Sequence, residues 1–106
     1  MSERLRLPDR RNSEIFGFEA MGGMRFTASA SRFADGRISE LFIDNYKAGS
    51  AVGMLARDLG IVFSFAVQHG ADPEAIRRAL CRDAEGRAQG PLGVALHLLL
   101  AGESLA

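Results

Sequence analysis

Polar and apolar positions alternate along the first third of the chain, then give way to helix-length apolar runs. Phe16, Phe18 and Ala20 alternate with Gly17 and Glu19, which predicts a strand from about Ser13. Ala20-Met21-Gly22-Gly23 is turn-like. Met24, Phe26, Ala28 and Ala30 then alternate with Arg25, Thr27, Ser29 and Ser31, a second strand with one polar face. Ala34-Asp35-Gly36-Arg37 predicts a hairpin turn, because Asp-Gly accepts the positive φ such turns need. A third strand follows from Ile38 to Ile43. The pattern predicts a three-stranded antiparallel meander, with helices packed on its apolar face.

Ser50 to His69 reads as a long helix bracketed by Gly49 and Gly70. Val52, Leu55, Leu59, Val62, Phe63 and Ala66 form one apolar stripe, expected to face the sheet. Met54, Ile61 and Phe65 form a second stripe; a helix apolar on two sides is either sandwiched inside the domain or shared with another subunit, and in so small a domain a homodimer is expected. Asp72-Pro73-Glu74 is a helix start: Asp caps, Pro takes the first helical position and Glu complements the dipole. This second helix is expected to reach about Leu80, with Ile76, Ala79 and Leu80 inward. Cys81 to Gly90 is a polar loop. Pro91 opens a last helix with Leu92, Ala95, Leu96, Leu99 and Leu100 on its apolar face and Gly102 at its end. The fold class is α+β: a three-stranded meander, then three helices. The expected organisation is a flexible basic arm over 1–12, a single domain over 13–102 and a tail over 103–106.

A chain of 106 residues, 47% hydrophobic, has room for one domain and one core. Its 13 Lys plus Arg balance its 13 Asp plus Glu. Zero net charge argues against coating nucleic acid or an anionic membrane, while leaving room for a local basic patch. All but one of the positive charges are arginines, suited to forked recognition of phosphate or carboxylate. The single Cys81 excludes an internal disulfide and a cysteine-based zinc site. The start of the chain, with Arg4, Arg6, Arg10 and Arg11, lacks the apolar run of a secretory signal. No apolar stretch of 18 residues is free of charge, so no membrane partner is expected and the default location is cytoplasmic.

Two places favour anions. The first is the start of the long helix, where Lys47, Gly49 and Ser50 could join unpaired N–H groups and the positive helix end. Helix capping by Ser50 explains the same residues without a ligand. The second is the loop before the last helix, with Arg82, Arg87 and Gly90. A solvated connection with self-neutralising charges is its plainer reading. If the two loops converge, they make one phosphate or nucleotide surface. No nucleophile with its base, no metal-ligand pair and no dinucleotide fingerprint is present, so no catalytic residue, metal or cofactor is expected. Cys81 reads as a structural thiol at the end of the second helix.

The order of strands, the Gly36-Arg37 turn with Glu40-Leu41-Phe42-Ile43, the helix start Lys47-Ala48-Gly49-Ser50 and the run Gly70-Ala71-Asp72-Pro73-Glu74-Ala75-Ile76 resemble the TSCPD domain. That domain occurs at the C-terminus of adenosylcobalamin-dependent (class II) ribonucleotide reductases and in small free-standing bacterial proteins. The tail, Ala79-Leu80-Cys81-Arg82-Asp83 to Gly90-Pro91-Leu92-Gly93, is similar to the free-standing members. Reductase-attached versions tend to carry cysteines after the Lys-Ala-Gly turn and in the first strands; here Ala51 stands at that position and Phe16 to Phe33 contain none. The resemblance implies an accessory module rather than a reductase: a non-catalytic binding or regulatory domain. The alternatives are a protein-interaction factor, including an inhibitor or adaptor carried by a mobile element, and a nucleic-acid-binding module using Arg25, Arg32, Arg37 and the arm. The single tyrosine weighs against single-strand binding, which relies on stacking aromatics.

Overall fold

The structure is a computed structural model that describes residues 13–47 and 49–101. The arm over 1–12, Gly102 and the tail over 103–106 lie outside the described residues. Three strands, β1 (Ser13–Ala20), β2 (Met24–Arg32) and β3 (Ile38–Asn45), precede three helices, α1 (Ala51–Gln68), α2 (Pro73–Ala79) and α3 (Pro91–Ala101). The sheet is antiparallel in the order β1-β2-β3, so the expected α+β meander is what forms.

Register brings the alternating apolar residues onto one face. Phe18 lies opposite Phe26, Ala30 opposite Leu41 and Ala28 opposite Ile43, and all six are buried. The Phe18 and Phe26 rings stack with centroids 5.6 Å apart. Phe63 and Val67 of α1 and Leu92, Val94, Ala95, Leu96 and Leu99 of α3 complete the core. α3 is buried on nearly every side at its start, from Pro91 to Leu96, a wider surface than the stripe of Leu92, Ala95, Leu96 and Leu99 predicts; Leu100 is only half-buried.

α1 differs from expectation in which side it buries. Leu55, Leu59 and Val62 belong to the stripe expected to face the sheet, yet all three are exposed. The buried side carries Gly53, Ala56, Gly60, Phe63, Ser64, Val67 and Gln68. The cause is where the helix lies. β3 is an edge strand, and α1 runs along its unpaired side. The Ser64 hydroxyl accepts from Leu41 N–H (2.8 Å) and sits within donating distance of the Leu41 and Gly60 carbonyls (3.0 and 2.8 Å). Gln68 Nε2 donates to the Ser39 carbonyl (2.9 Å). A Cβ at Gly60 would stand 2.7 Å from Leu41 O, so only glycine allows this approach. An open strand edge is a row of unpaired backbone groups. Small and hydrogen-bonding side chains satisfy it where leucines could not.

α1 is also the one described helix long and apolar enough to cross a membrane by length and composition. It contains Arg57 and Asp58, and its inner side is committed to β3, as the core helices of globular domains are.

The second helix departs in detail. Asp72 caps it, its side chain accepting from Glu74 N–H (3.0 Å), with Pro73 in the first position. It stops at Ala79, which is exposed. Leu80 then turns to extended backbone and is half-buried against Gly93. Cys81 consequently points outward and is exposed, contrary to the expected buried thiol.

Candidate functional site

A concavity lies between the β1–β2 hairpin tip, the loop over 81–90, α2 and α3. It is an open cleft of about 800 Å³. Its basic groups are Arg77 of α2, Arg82 and Arg87 of the loop and His97 of α3; Glu19 is the only acid lining it. Phe18, Val94 and Leu98 supply apolar wall. A few convergent polar groups over an apolar wall are the usual composition of a ligand site.

Local sequence builds each side. At the hairpin tip, Met21, Gly22 and Gly23 have φ of 55°, 77° and 101°. Glycine tolerates this region, whereas Met21 is the one described non-glycine residue that adopts it. Met21 N–H donates to the Gln89 carbonyl (3.1 Å), tying the tip to the loop. The loop is folded on Asp83, whose Oδ1 accepts from the Glu85 and Arg87 N–H groups (both 2.9 Å). Asp83 N–H donates back to the Arg87 carbonyl (2.9 Å), and Gly86 turns the chain at φ 80°. An isolated bridge joins Arg82 and Ala88, so the two arginines rise from a small ordered hairpin.

The charges are not equivalent. Glu74 binds Arg77, and also Arg78 at 3.3 Å; chiefly the Arg77 hydrogen bond holds its carboxyl down to about 2 and raises the Arg77 guanidinium. Arg77 is therefore largely neutralised. Arg87 makes only long contacts, 3.6 Å to Asp83 and 3.8 Å to Glu85, and is exposed. Such surface pairs hold weakly. Arg82 has no acidic partner among the described residues; its one hydrogen bond is a long 3.5 Å contact to the Arg77 carbonyl. Asp83 sits below its ordinary value, first because the Arg87 N–H binds it. Arg82 and Arg87 are thus the cations most available to an anion.

The other expected residues lie elsewhere. Ser50 caps α1: its hydroxyl accepts from Gly53 N–H (3.0 Å) and donates to Asn45 Oδ1 (3.2 Å). Asn45 Oδ1 also accepts from Lys47 N–H (3.1 Å), and Asn45 Nδ2 donates to the Arg25 carbonyl (3.0 Å). Gly49 takes φ 76° to make the turn. Lys47, Gly49 and Ser50 fall at the end of the sheet that carries the β1–β2 tip, but none of them lines the cleft, nor does Gly90. Arg77, His97, Glu19 and the tip residues do line it and were not among the anion-site residues expected from sequence. The consecutive glycines after Met21 were the available signal. No group of three metal-capable His, Cys, Asp or Glu side chains occurs among the described residues. The interface positions Met54, Ile61 and Phe65 are all exposed on α1.

The chain is similar to part of two vitamin B12-dependent ribonucleotide reductases. One, from Agrobacterium fabrum, is 35% identical over 68 residues, 64% of this chain and 5% of the relative. The other, from Bradyrhizobium diazoefficiens, is 33% identical over 70 residues, 66% of this chain and 6% of the relative. The chain thus spans about a twentieth of the length of the relatives it matches and is related to one small region of each. No protein-family model matches the chain, and no solved structure does.

Proposed function

We propose that this chain is a non-catalytic binding or regulatory module of the TSCPD type, and that its arginine cleft accepts a nucleotide through the phosphates. The observation that carries the reading is Arg82 and Arg87 beside His97 over an apolar wall, with Arg82 unpaired among the described residues. Arg82 and Arg87 would bind phosphate oxygens, each with a forked guanidinium. Phe18, Val94 and Leu98 would take the less polar part of the ligand. The similarity to a region of ribonucleotide reductases supports a nucleotide as the anion.

Calorimetric titration with nucleoside di- and triphosphates tests this. Arg82→Ala and Arg87→Ala should each weaken binding about 5- to 30-fold, the effect of about 1–2 kcal/mol. Lys47→Ala, outside the cleft, should leave affinity unchanged. Inorganic phosphate alone should bind at roughly millimolar concentration. Equal nucleotide affinity in wild type and both arginine variants would sink the proposal.

A further inference from the structure

We infer that the outer face of α1 pairs with the same face of a second copy of this chain, making a twofold dimer. Met54, Leu55, Val62, Ile61 and Phe65 are 61%, 65%, 66%, 43% and 48% exposed. Leu59 continues the band along the helix, and Phe42 of β3 extends it sideways, sharing a shallow groove with Ile61. At 1.5 Å per residue the band runs about 16 Å from Met54 to Phe65. Asp58 is its one charge.

Area argues for a partner of this size. Phe42 and Phe65 would present ~150–250 Å² each if fully open and the five aliphatic side chains the lower part of that range, so at their fractional exposures the seven leave about 700 Å² of largely apolar surface open. That exceeds the ~300–600 Å² of the largest patch on an ordinary monomer. Two such faces together would bury about 1,400 Å², inside the ~1,200–2,000 Å² of a stable interface. A twofold axis sets the band against a surface of its own length, width and chemistry. Positions 54, 58 and 62, and 61 and 65, form the ridges that pack into a neighbouring helix's grooves.

Charge selects the orientation. A parallel pairing would bring the two Asp58 carboxylates side by side. An antiparallel pairing offsets them along the helix axis, which lessens their repulsion without removing it. Zero net charge leaves no long-range repulsion between copies.

Sedimentation equilibrium of the full chain between about 5 and 200 µM tests the proposal, and a dimer with micromolar or tighter dissociation is expected. The double variant Leu55→Glu/Val62→Glu should raise the dissociation constant at least ~100-fold while keeping the wild-type circular dichroism spectrum. Should that variant unfold, Asp58→Leu decides instead: removing the lone charge should tighten the dimer about tenfold. A wild type monomeric at 200 µM overturns the inference, including one that binds a different protein through this face. So does a dimer that neither change alters.

Discussion

The two sides of α1 reverse the usual arrangement of a surface helix. Its inner side is glycine, alanine, serine and glutamine, with Phe63 and Val67 reaching the core. Its outer side is methionine, leucine, isoleucine, valine and phenylalanine in the open. The inner side faces a strand edge, where the neighbour presents backbone N–H and C=O rather than side chains. There, close approach and hydrogen bonding outweigh apolar bulk. The comparison shows that burial follows what the adjoining surface requires, and that hydrophobicity alone does not choose the inward face. It also separates the sheet's two edges: β3 is covered by α1, whereas β1 is the opposite edge strand.

The harshest test of the inner side is Gly60→Ala. The added Cβ would meet Leu41 O at 2.7 Å and the backbone of Phe42 and Ile43 at 3.2 Å, with no flexible atom to move aside. A net loss of about 3 kcal/mol in urea unfolding is expected, because overpacking exceeds the ~1 kcal/mol that alanine adds to helix propensity. The sign is decisive. A stabilised Gly60→Ala would show that α1 does not touch the strand edge.

Ser64→Ala comes next. It removes the acceptor for Leu41 N–H and a donor to the same edge, leaving a buried backbone group unpaired. About 2 kcal/mol should be lost. Loss of the hydroxyl at a site that water could reach would cost far less, so a loss below about 0.5 kcal/mol would break the comparison.

Ser39 gives the opposite expectation on the same strand. Its side chain is fully buried, and its Oγ is the one buried side-chain oxygen or nitrogen among the described residues without a hydrogen-bond partner. Its carbonyl is the atom that Gln68 binds. Ser39→Ala keeps that carbonyl and deletes the unpaired hydroxyl. A gain of about 1 kcal/mol is expected. A loss as large as that of Ser64→Ala would mean the Ser39 hydroxyl is bonded after all.

These contrasts explain what the sequence revealed. Period-two alternation located the strands, because the sheet has one apolar face, and Asp35-Gly36 marked the second turn. The caps at Ser50 and Asp72 were legible because they are short-range chemistry. The inward side of α1 was not, since Gly53, Gly60 and Ser64 look like weak points until the strand edge is known. The cleft was half legible. Arg82 and Arg87 stand in a glycine-bearing loop that can be read locally. Arg77, His97 and Glu19 join them only through long-range packing, sealed by the Met21–Gln89 hydrogen bond.

Acid should separate the regions by the smallest effect. The inner side of α1 meets β3 through the Ser64 hydroxyl, the Gln68 amide and backbone, none of which titrates; the Arg57–Asp44 ion pair at its margin (2.6 Å) is exposed. The start of α2 and the cleft loop depend instead on Glu74 and Asp83. Both carboxyls are lowered in the folded chain, from ordinary values of 4.5 and 3.8, Glu74 to about 2. A lowered carboxyl contributes stability that is complete above its unfolded value and lost as pH falls through the folded one. Their contributions are therefore full above about pH 5; that of Glu74 is lost as pH falls through about 2, and that of Asp83 as pH falls through its own lowered value. Both lie near solvent, so the change in melting temperature should be slight. Amide spectra recorded from pH 7 down to about 1.5 should show residues 74–78 and 83–87 shifting only at the acid end, while Leu41 N–H and the inner amides of α1 hold throughout. Loss of the Leu41 signal before those of Glu85 and Arg87 would place an unrecognised titrating group at the strand edge and end the distinction drawn between the two regions.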